Sequence, residues 1–228
     1  MSKSESKREP FKGCIIEMDT VVLNGIQLLY EITRTELSKQ DVVIDEGLFA
    51  RHFFGAHLET GLNRALQPSG RRSTPELAQT IRTTYLSRLA AAPIADHQPL
   101  AALVRGLSER QVRVALLTRI DHAAATAQFA SLLALPNVML ISETLFAPVG
   151  GFAWDVWRRA AETMEMSGRL CTAIVASSTS AKAALAASLP VIAIPSALTD
   201  YQDYTGVYHR CDKLDDSVLP AVLQSLRI

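Results

Sequence analysis

Cysteine is scarce and net charge is absent in this 228-residue chain, and each shortage closes off a class of function. The three cysteines, Cys14, Cys171 and Cys211, are far apart, odd in number and without metal-ligand spacing. They read as buried free thiols, which suits a reducing compartment. Lys+Arg and Asp+Glu both number 23, so no overall field draws the chain to nucleic acid or to an anionic membrane surface. No apolar run approaches the roughly 18 residues of a membrane span. Met1 to Pro10 is polar and charged, with no apolar segment, so a frayed terminus is expected there and not a signal peptide. These features predict a cytoplasmic protein whose partners must be sought in a local site. The five histidines, His52, His57, His97, His122 and His209, show no metal spacing, and the chain has no internal repeat or low-complexity segment.

What is present is a hydrophobic fraction of 48% with 20% charged residues, ordinary for a globular chain long enough to bury a sizeable core. The apolar run Cys14-Ile15-Ile16 reads as a first strand. After Asn24, helical spacing covers Ile26 to Ser38, then about Asp45 to Leu66, then Thr74 to Ala91. Ser73-Thr74-Pro75-Glu76 opens the last of these with a hydroxyl cap, an early proline and an early acid. Nothing between Asn24 and Ala91 has a strand pattern, so residues 25–91 are predicted to be a helical insertion. From Leu100 onward the pattern changes to strand and helix in repetition. Helices are expected at Leu100 to Arg110, Ala123 to Leu133, Asp155 to Met164 (with Asp155 as its cap) and Ser180 to Ala187. Strands are expected at Val112 to Leu117, Val138 to Ile141, Thr172 to Val175 and Val191 to Ile194. That alternation argues an α/β protein with a Rossmann-like parallel sheet. Its core would be residues 1–24 and 92–228, with the helical cap inserted after the first strand.

The first strand carries the chemistry. In Cys14-Ile15-Ile16-Glu17-Met18-Asp19-Thr20-Val21-Val22-Leu23-Asn24, two carboxylates follow the apolar run at i and i+2. On a strand they would face the same side, at the carboxyl end where open α/β sheets place ligands. The segment resembles the signature strand of the haloacid dehalogenase-like (HAD) phosphohydrolases, D-x-D-G-[TV]-[LV]-x-[DS], with Glu17 in place of the first aspartate and Thr20 in place of the glycine. The resemblance extends from Lys12 to about Leu226 in the order signature strand, helical insertion, Rossmann-like remainder. Thr118 ends Val114-Ala115-Leu116-Leu117-Thr118 where the family has a phosphate-binding Ser or Thr. Gly150-Gly151-Phe152-Ala153-Trp154-Asp155 is similar to G-K-P-x-P-D, so Gly151 stands at the lysine. Ala173-Ile174-Val175-Ala176-Ser177 stands where the family reads V-x-E-D-S, and Val175 and Ala176 replace its metal-binding acids. Thr199-Asp200-Tyr201-Gln202-Asp203-Tyr204-Thr205-Gly206 looks like a segment of the phosphoglycolate phosphatase, β-phosphoglucomutase and CbbY-like branch.

The resemblance implies a nucleophile at Glu17, a general acid at Asp19 and phosphoryl contacts at Thr118. The residues themselves argue against the reaction. Glutamate adds a methylene and displaces the attacking oxygen by about 1 Å, enough to cost about 100-fold in rate. Loss of the lysine removes a charge-stabilising group of roughly 3 kcal/mol. With Val175 and Ala176 there is too little anionic oxygen for Mg²⁺. The expectation is a HAD-like chain that needs no cofactor, binds no Mg²⁺ and acts by binding a small anionic metabolite or a protein partner. The alternative is an altered hydrolase of a phosphorylated metabolite, with Glu17 and Asp19 as base and acid. Candidate ligand contacts are Thr118, Arg119 and Ser177, and each has a structural alternative. Thr118 simply ends a strand, Arg119 is a solvated loop residue, Ser177 caps a helix, and Asp19 bonds amides of the turn. His122 is a candidate proton carrier, Phe152 and Trp154 rim the site, and Phe49, Phe53 and Phe54 form either cap core or an interface.

Overall fold

The computed structural model describes residues 11–94, 97–145 and 148–228; the expected frayed terminus, Met1 to Pro10, lies outside them. The first strand, β1 (Gly13–Glu17), runs into a single helical turn, α1 (Met18–Val21). Four helices follow: α2 (Gly25–Ser38), α3 (Glu46–Phe53), α4 (Leu58–Leu66) and α5 (Pro75–Ala90). The remainder alternates as α6 (Gln98–Glu109), β2 (Arg113–Thr118), α7 (His122–Gln128), α8 (Ala130–Leu133), β3 (Val138–Ser142), α9 (Trp154–Thr163), β4 (Cys171–Val175), α10 (Ser178–Ala186), β5 (Val191–Ala193), β6 (His209–Arg210) and α11 (Val218–Leu226). The strands form one sheet in the order β3-β2-β1-β4-β5-β6, every neighbouring pair parallel. This is the α/β, Rossmann-like architecture that the alternation predicts.

Period-two alternation divides the core. Cys14, Ile16, Val114, Leu116, Ile174 and Ile192 point to one face and join the apolar sides of α6 and α11. Ile15, Ala115, Leu117, Ala173, Val175 and Val191 point to the other, beneath Trp157 and Ala160 of α9 and Ala181 of α10. With both faces covered, the strands read as continuous apolar runs. The first of these clusters continues without a break into the helices of 25–90 through Phe49, Phe53, Leu62 and Ile81. No helix among the described residues is long and apolar enough to cross a membrane.

Several boundaries differ from expectation for local reasons. The pattern at Asp45 to Leu66 is two helices, because Gly55 at φ +72° breaks it; glycine is the residue that adopts this left-handed geometry without cost. The Gly55 N–H then donates to the Val149 carbonyl at 3.0 Å, and the Val149 N–H donates to Ala56 at 2.9 Å. These bonds tie the helical segment to the loop before α9. Likewise Ala123 to Leu133 divides at Phe129 (φ −100°, ψ 15°). Asp155 is not the cap of α9: Ala153 holds that position without a side-chain bond, and Asp155 instead pairs with Arg159 one turn on at 2.5 Å. Thr74 does cap α5, accepting from the Leu77 N–H at 3.3 Å. β6 and α11 are not among the expected elements; β6 is two exposed residues, too short to leave an alternation.

Candidate functional site

The strand order reverses direction at β1, which lies between β2 and β4, and the carboxyl end of such a strand is where an open sheet leaves a crevice. Four segments meet there: the turn after β1, the loop after β2, residues 148–152 and the start of α10. Glu17 and Asp19 reach it differently from two neighbours on a strand. β1 stops at Glu17 and Asp19 lies in the helical turn α1. The two carboxylates therefore enter separate surroundings.

Asp19 is fully buried and heavily bonded. It accepts from the Thr118 hydroxyl, from the Arg119 backbone N–H at 3.0 Å and from the Arg119 guanidinium at 3.3 Å. Burial pushes its carboxyl above the usual range, against the Arg119 charge and the Thr118 and Arg119 bonds that favour ionisation. Thr118 therefore does more than end its strand, and Asp19 bonds the amide after β2.

Arg119 is the largest departure from expectation. It is not solvated but 4% exposed, folded inward over the site. Its guanidinium bonds Asp19 on one side and the Gly151 carbonyl on the other, with a longer contact to Pro148 O at 3.4 Å. It stacks on the Phe152 ring at 3.9 Å from the centroid. A planar, weakly hydrated cation suits this half-aromatic, half-carbonyl berth. Phe152 is fully buried whereas Trp154 is 53% exposed, so Phe152 alone of the two rim aromatics fills the site.

Glu17 has no comparable partner. It is fully buried, and neither carboxylate oxygen is in hydrogen-bonding geometry with any described group. Burial raises its pKa from 4.5 to about 7; the Arg119 charge and the nearby Ser180 and Thr20 hydroxyls soften the rise and Asp19 adds to it. A carboxyl in this state holds its proton near neutrality.

Residues 150–152 are stapled to α10. The Ser177 hydroxyl accepts from the Ser180 N–H at 3.1 Å and donates to the Gly150 carbonyl, so it caps the helix as well as fastening the loop. The Ser180 hydroxyl accepts from the Phe152 N–H at 3.2 Å. Gly151 sits so close to this helix that a Cβ on it would stand 2.1 Å from the Ser180 Oγ and 2.8 Å from the Ser180 nitrogen. The position that the resemblance sets at a lysine therefore accommodates no side chain.

The end of β4 is equally closed. Val175 belongs to the apolar core. The Ala176 carbonyl accepts from the Thr199 hydroxyl at 2.6 Å and the Tyr204 hydroxyl at 3.0 Å. A divalent cation does not fit this donor set. Asp19 is engaged by a guanidinium, Glu17 stands alone, and a hard cation needs about six oxygens. Among the described residues no group of three or more His, Cys, Asp or Glu side chains is placed to hold a metal ion.

Tyr85 is a site residue that sequence reasoning missed. It projects from α5, with its hydroxyl so near Gly25 that a Cβ there would stand 2.6 Å from it and equally close to the Asp19 carbonyl. Burial, and then the charge of Asp19, push its hydroxyl pKa upward. Its spacing with Ile81 and Leu89 marks only a core-facing position. His122 begins α7 at the surface and takes no part. Phe49 and Phe53 are buried and stacked at 4.9 Å, and half-buried Phe54 packs edge-on against Phe49. All three are thus packing residues. What remains open is a cavity of about 10 Å³, lined by Thr20, Tyr85, Phe54, Arg119, Gly150 and Gly151 among others, about enough for one water.

Among solved structures, the chain is similar to β-phosphoglucomutase from Clostridium difficile, with 13% identity, a TM-score of 0.71 and coverage of 96% of this chain and 98% of that one. It is similar to CbbY from Rhodobacter sphaeroides, in complex with phosphate, at 15% identity, TM-score 0.66 and coverage of 93% and 99%. A haloacid dehalogenase-like protein of unknown function from Agrobacterium tumefaciens matches at 17% identity, TM-score 0.70 and coverage of 96% and 100%. No protein-family model matches the chain, and no curated protein does. At these identities it is the fold that is shared, over nearly the whole length of each chain: a parallel sheet with a crevice at the end of β1 and a helical segment inserted beside it. The chain has the haloacid dehalogenase-like fold.

Proposed function

We propose that this chain is a HAD-fold protein without Mg²⁺-dependent phosphoryl transfer, which acts by binding a small anionic ligand or a protein partner. Residues 25–91 form its cap, and residues 1–24 and 92–228 its core. The observation that carries the reading is the berth of Arg119. A guanidinium buried between Asp19, Gly151 and Phe152 puts a fixed positive charge where a metal would need anionic oxygen. Transfer of a phosphoryl group requires a nucleophile in line, a cation and donors for the spreading charge. Glu17 is without a partner, and Asp19 is committed to structure. The two backbone bonds between Gly55–Ala56 and Val149 hold cap and core together over a site with room for about one water. The phosphate of the CbbY neighbour supports an anion as the ligand class. The unpaired, buried thiols Cys14, Cys171 and Cys211 support a cytoplasmic setting.

Thermal unfolding with and without Mg²⁺, in the presence of inorganic phosphate and sugar phosphates, tests the reading. A ligand that binds only the folded state raises the midpoint. The expected result is no shift with Mg²⁺ alone and the same response to each anion with or without it. Turnover of a general phosphatase substrate that needs Mg²⁺ and disappears in Glu17→Gln overturns the proposal. One observation keeps hydrolysis as a second reading: a buried carboxyl with a pKa of about 7 is matched to general-base work at neutral pH. Metal-independent turnover that follows the ionisation of Glu17 is its signature.

A further inference from the structure

The helical segment carries a second surface feature, remote in sequence from Glu17 and Asp19 and independent of whether that site turns over a substrate. Two grooves lie on either side of the chain from Arg64 to Arg71. One, of about 530 Å³, is lined by Thr60, Asn63, Arg64, Arg71 and Arg72. The other, of about 360 Å³, is lined by Val42, Val43, Ile44, Leu48, Ala65 and Pro68, together with Asp41, His52 and Ser69. They are joined side by side. Arg64 crosses to the His52 carbonyl at 3.2 Å, and Arg71 crosses to the Gln40 carbonyl.

The basic groove is under-neutralised. Its Arg64, Arg71 and Arg72 are exposed, as is Arg51 next to His52 in sequence, and none of the four is ion-paired within the described residues. The charges of Arg51 and Arg64, after burial, hold the His52 pKa below its usual value. The neighbouring groove is apolar and uncovered: Val43 is 82% exposed and Leu48 38%. Of the acids nearby, Asp45 is spent capping α3, accepting from the Leu48 N–H at 2.7 Å. Asp41 remains at the apolar groove and disfavours a second carboxylate there.

We infer that these paired grooves dock an acidic amphipathic helix of a partner protein. Its apolar residues would lie over Val43 and Leu48, and its carboxylates over Arg64, Arg71 and Arg72. Helix-in-groove recognition uses anchors at i, i+3, i+4 and i+7, with charge setting the orientation. Asp41 on the apolar side and the arginines on the other fix which edge of the helix is acidic. Nucleic acid would use the arginines but has no need of Val43 and Leu48. A second copy of this chain would need an acidic, apolar helix face of its own.

The test uses the full chain and a fluorescein-labelled 18-residue peptide with leucines at i, i+3, i+4 and i+7 and glutamates along one flank, read by anisotropy. Saturable binding is expected, weakened about tenfold by Arg64→Glu together with Arg72→Glu and by about the same factor by Val43→Asp. Arg158→Glu, on α9, should leave it unchanged. These are exposed positions, and near-ultraviolet circular dichroism verifies that each variant is folded. Failure of the peptide to bind overturns the proposal, as does equal weakening by Arg158→Glu. So does tighter binding of a single-stranded oligonucleotide that ignores Val43→Asp. Self-association abolished by Val43→Asp, seen by sedimentation, also overturns it and assigns the surface to a second copy.

Discussion

Glu17 should make this fold less stable as the pH rises through neutrality. In the unfolded chain its carboxyl ionises near 4.5; buried beside the Ser180 and Thr20 hydroxyls it does so at about 7. Below pH 4.5 both states hold the proton and Glu17 contributes no pH dependence. Between 4.5 and about 7 the folded chain keeps a proton that the unfolded chain has released, so stability falls with pH. Above about 7 both states are ionised and the loss levels off. At about 1.4 kcal/mol per pH unit, the charge costs the native state about 3 kcal/mol at pH 8 and about 1 kcal/mol at pH 5. Glu17→Gln keeps the shape and removes the ionisation. The variant should therefore gain on the natural chain by about 2 kcal/mol between pH 5 and pH 8, a difference of about 4–8 °C in midpoint for a chain of this length. Urea unfolding followed by tryptophan fluorescence, at each pH for both proteins, measures it. Asp19 also titrates above its usual range and is coupled to Glu17 by charge, so the difference between the two proteins reads the ionisation of Glu17 together with its effect on Asp19. Parallel pH curves would show that Glu17 is solvated or ion-paired in solution, and would refute the buried carboxyl that holds its proton.

Replacing Arg119 by Met should cost about 3–5 kcal/mol, because Asp19 is left as an uncompensated buried charge; adding Asp19→Asn should return a large part of it, and a double-mutant cycle in urea reads the coupling. Gly151→Ala should cost about 1–3 kcal/mol by overpacking, since its Cβ would stand 2.1 Å from the Ser180 Oγ. Ser180→Gly in the same chain should relieve part of that, whereas equal midpoints for Gly151→Ala and the natural chain would show the loop free to lift from α10. Tyr85→Phe should leave the Mg²⁺-independence of the melting curve unaltered; a Mg²⁺ response appearing in that variant would identify the hydroxyl as the block to a metal.

The sheet was legible because burial on both faces leaves apolar runs, and five of the six strands show them, at Cys14 to Ile16, Val112 to Leu117, Val138 to Ile141, Thr172 to Val175 and Val191 to Ile194. Helix starts were legible where a side chain caps, as at Thr74, and misplaced where none does, as at Ala153. Within the site, Glu17 and Asp19 are marked by their place at the end of the first strand, and Thr118 and Ser177 by the resemblance to the HAD motifs. Two facts about them were not. That Asp19 leaves the strand depends on the turn α1, which no period-two reading contains. That Arg119 turns inward depends on Phe152 and on the Gly151 carbonyl, 33 and 32 residues further along. A lone arginine after a strand carries no local sign of which way it folds, and a tyrosine on an amphipathic helix looks the same whether it meets aliphatic core or two carboxylates.

The absences at Gly151 and Val175–Ala176 and the presence of Arg119 form one arrangement. Without a side chain at 151, residues 150–152 close on α10 through Ser177 and Ser180. That closure turns the Gly151 carbonyl to the guanidinium and sets Phe152 beneath it. With Val175 in the core and the Ala176 carbonyl held by Thr199 and Tyr204, no oxygen from β4 competes for a cation. Arg119 then supplies the positive charge that Asp19 requires in order to be buried at all, since an unpaired carboxylate there would cost several kcal/mol. Each element is held by the others, so an aspartate placed at 17 alone leaves the guanidinium and Phe152 in place. The same logic explains why Glu17 is tolerated: beside a site already neutralised by one ion pair, a carboxyl that holds its own proton adds no charge.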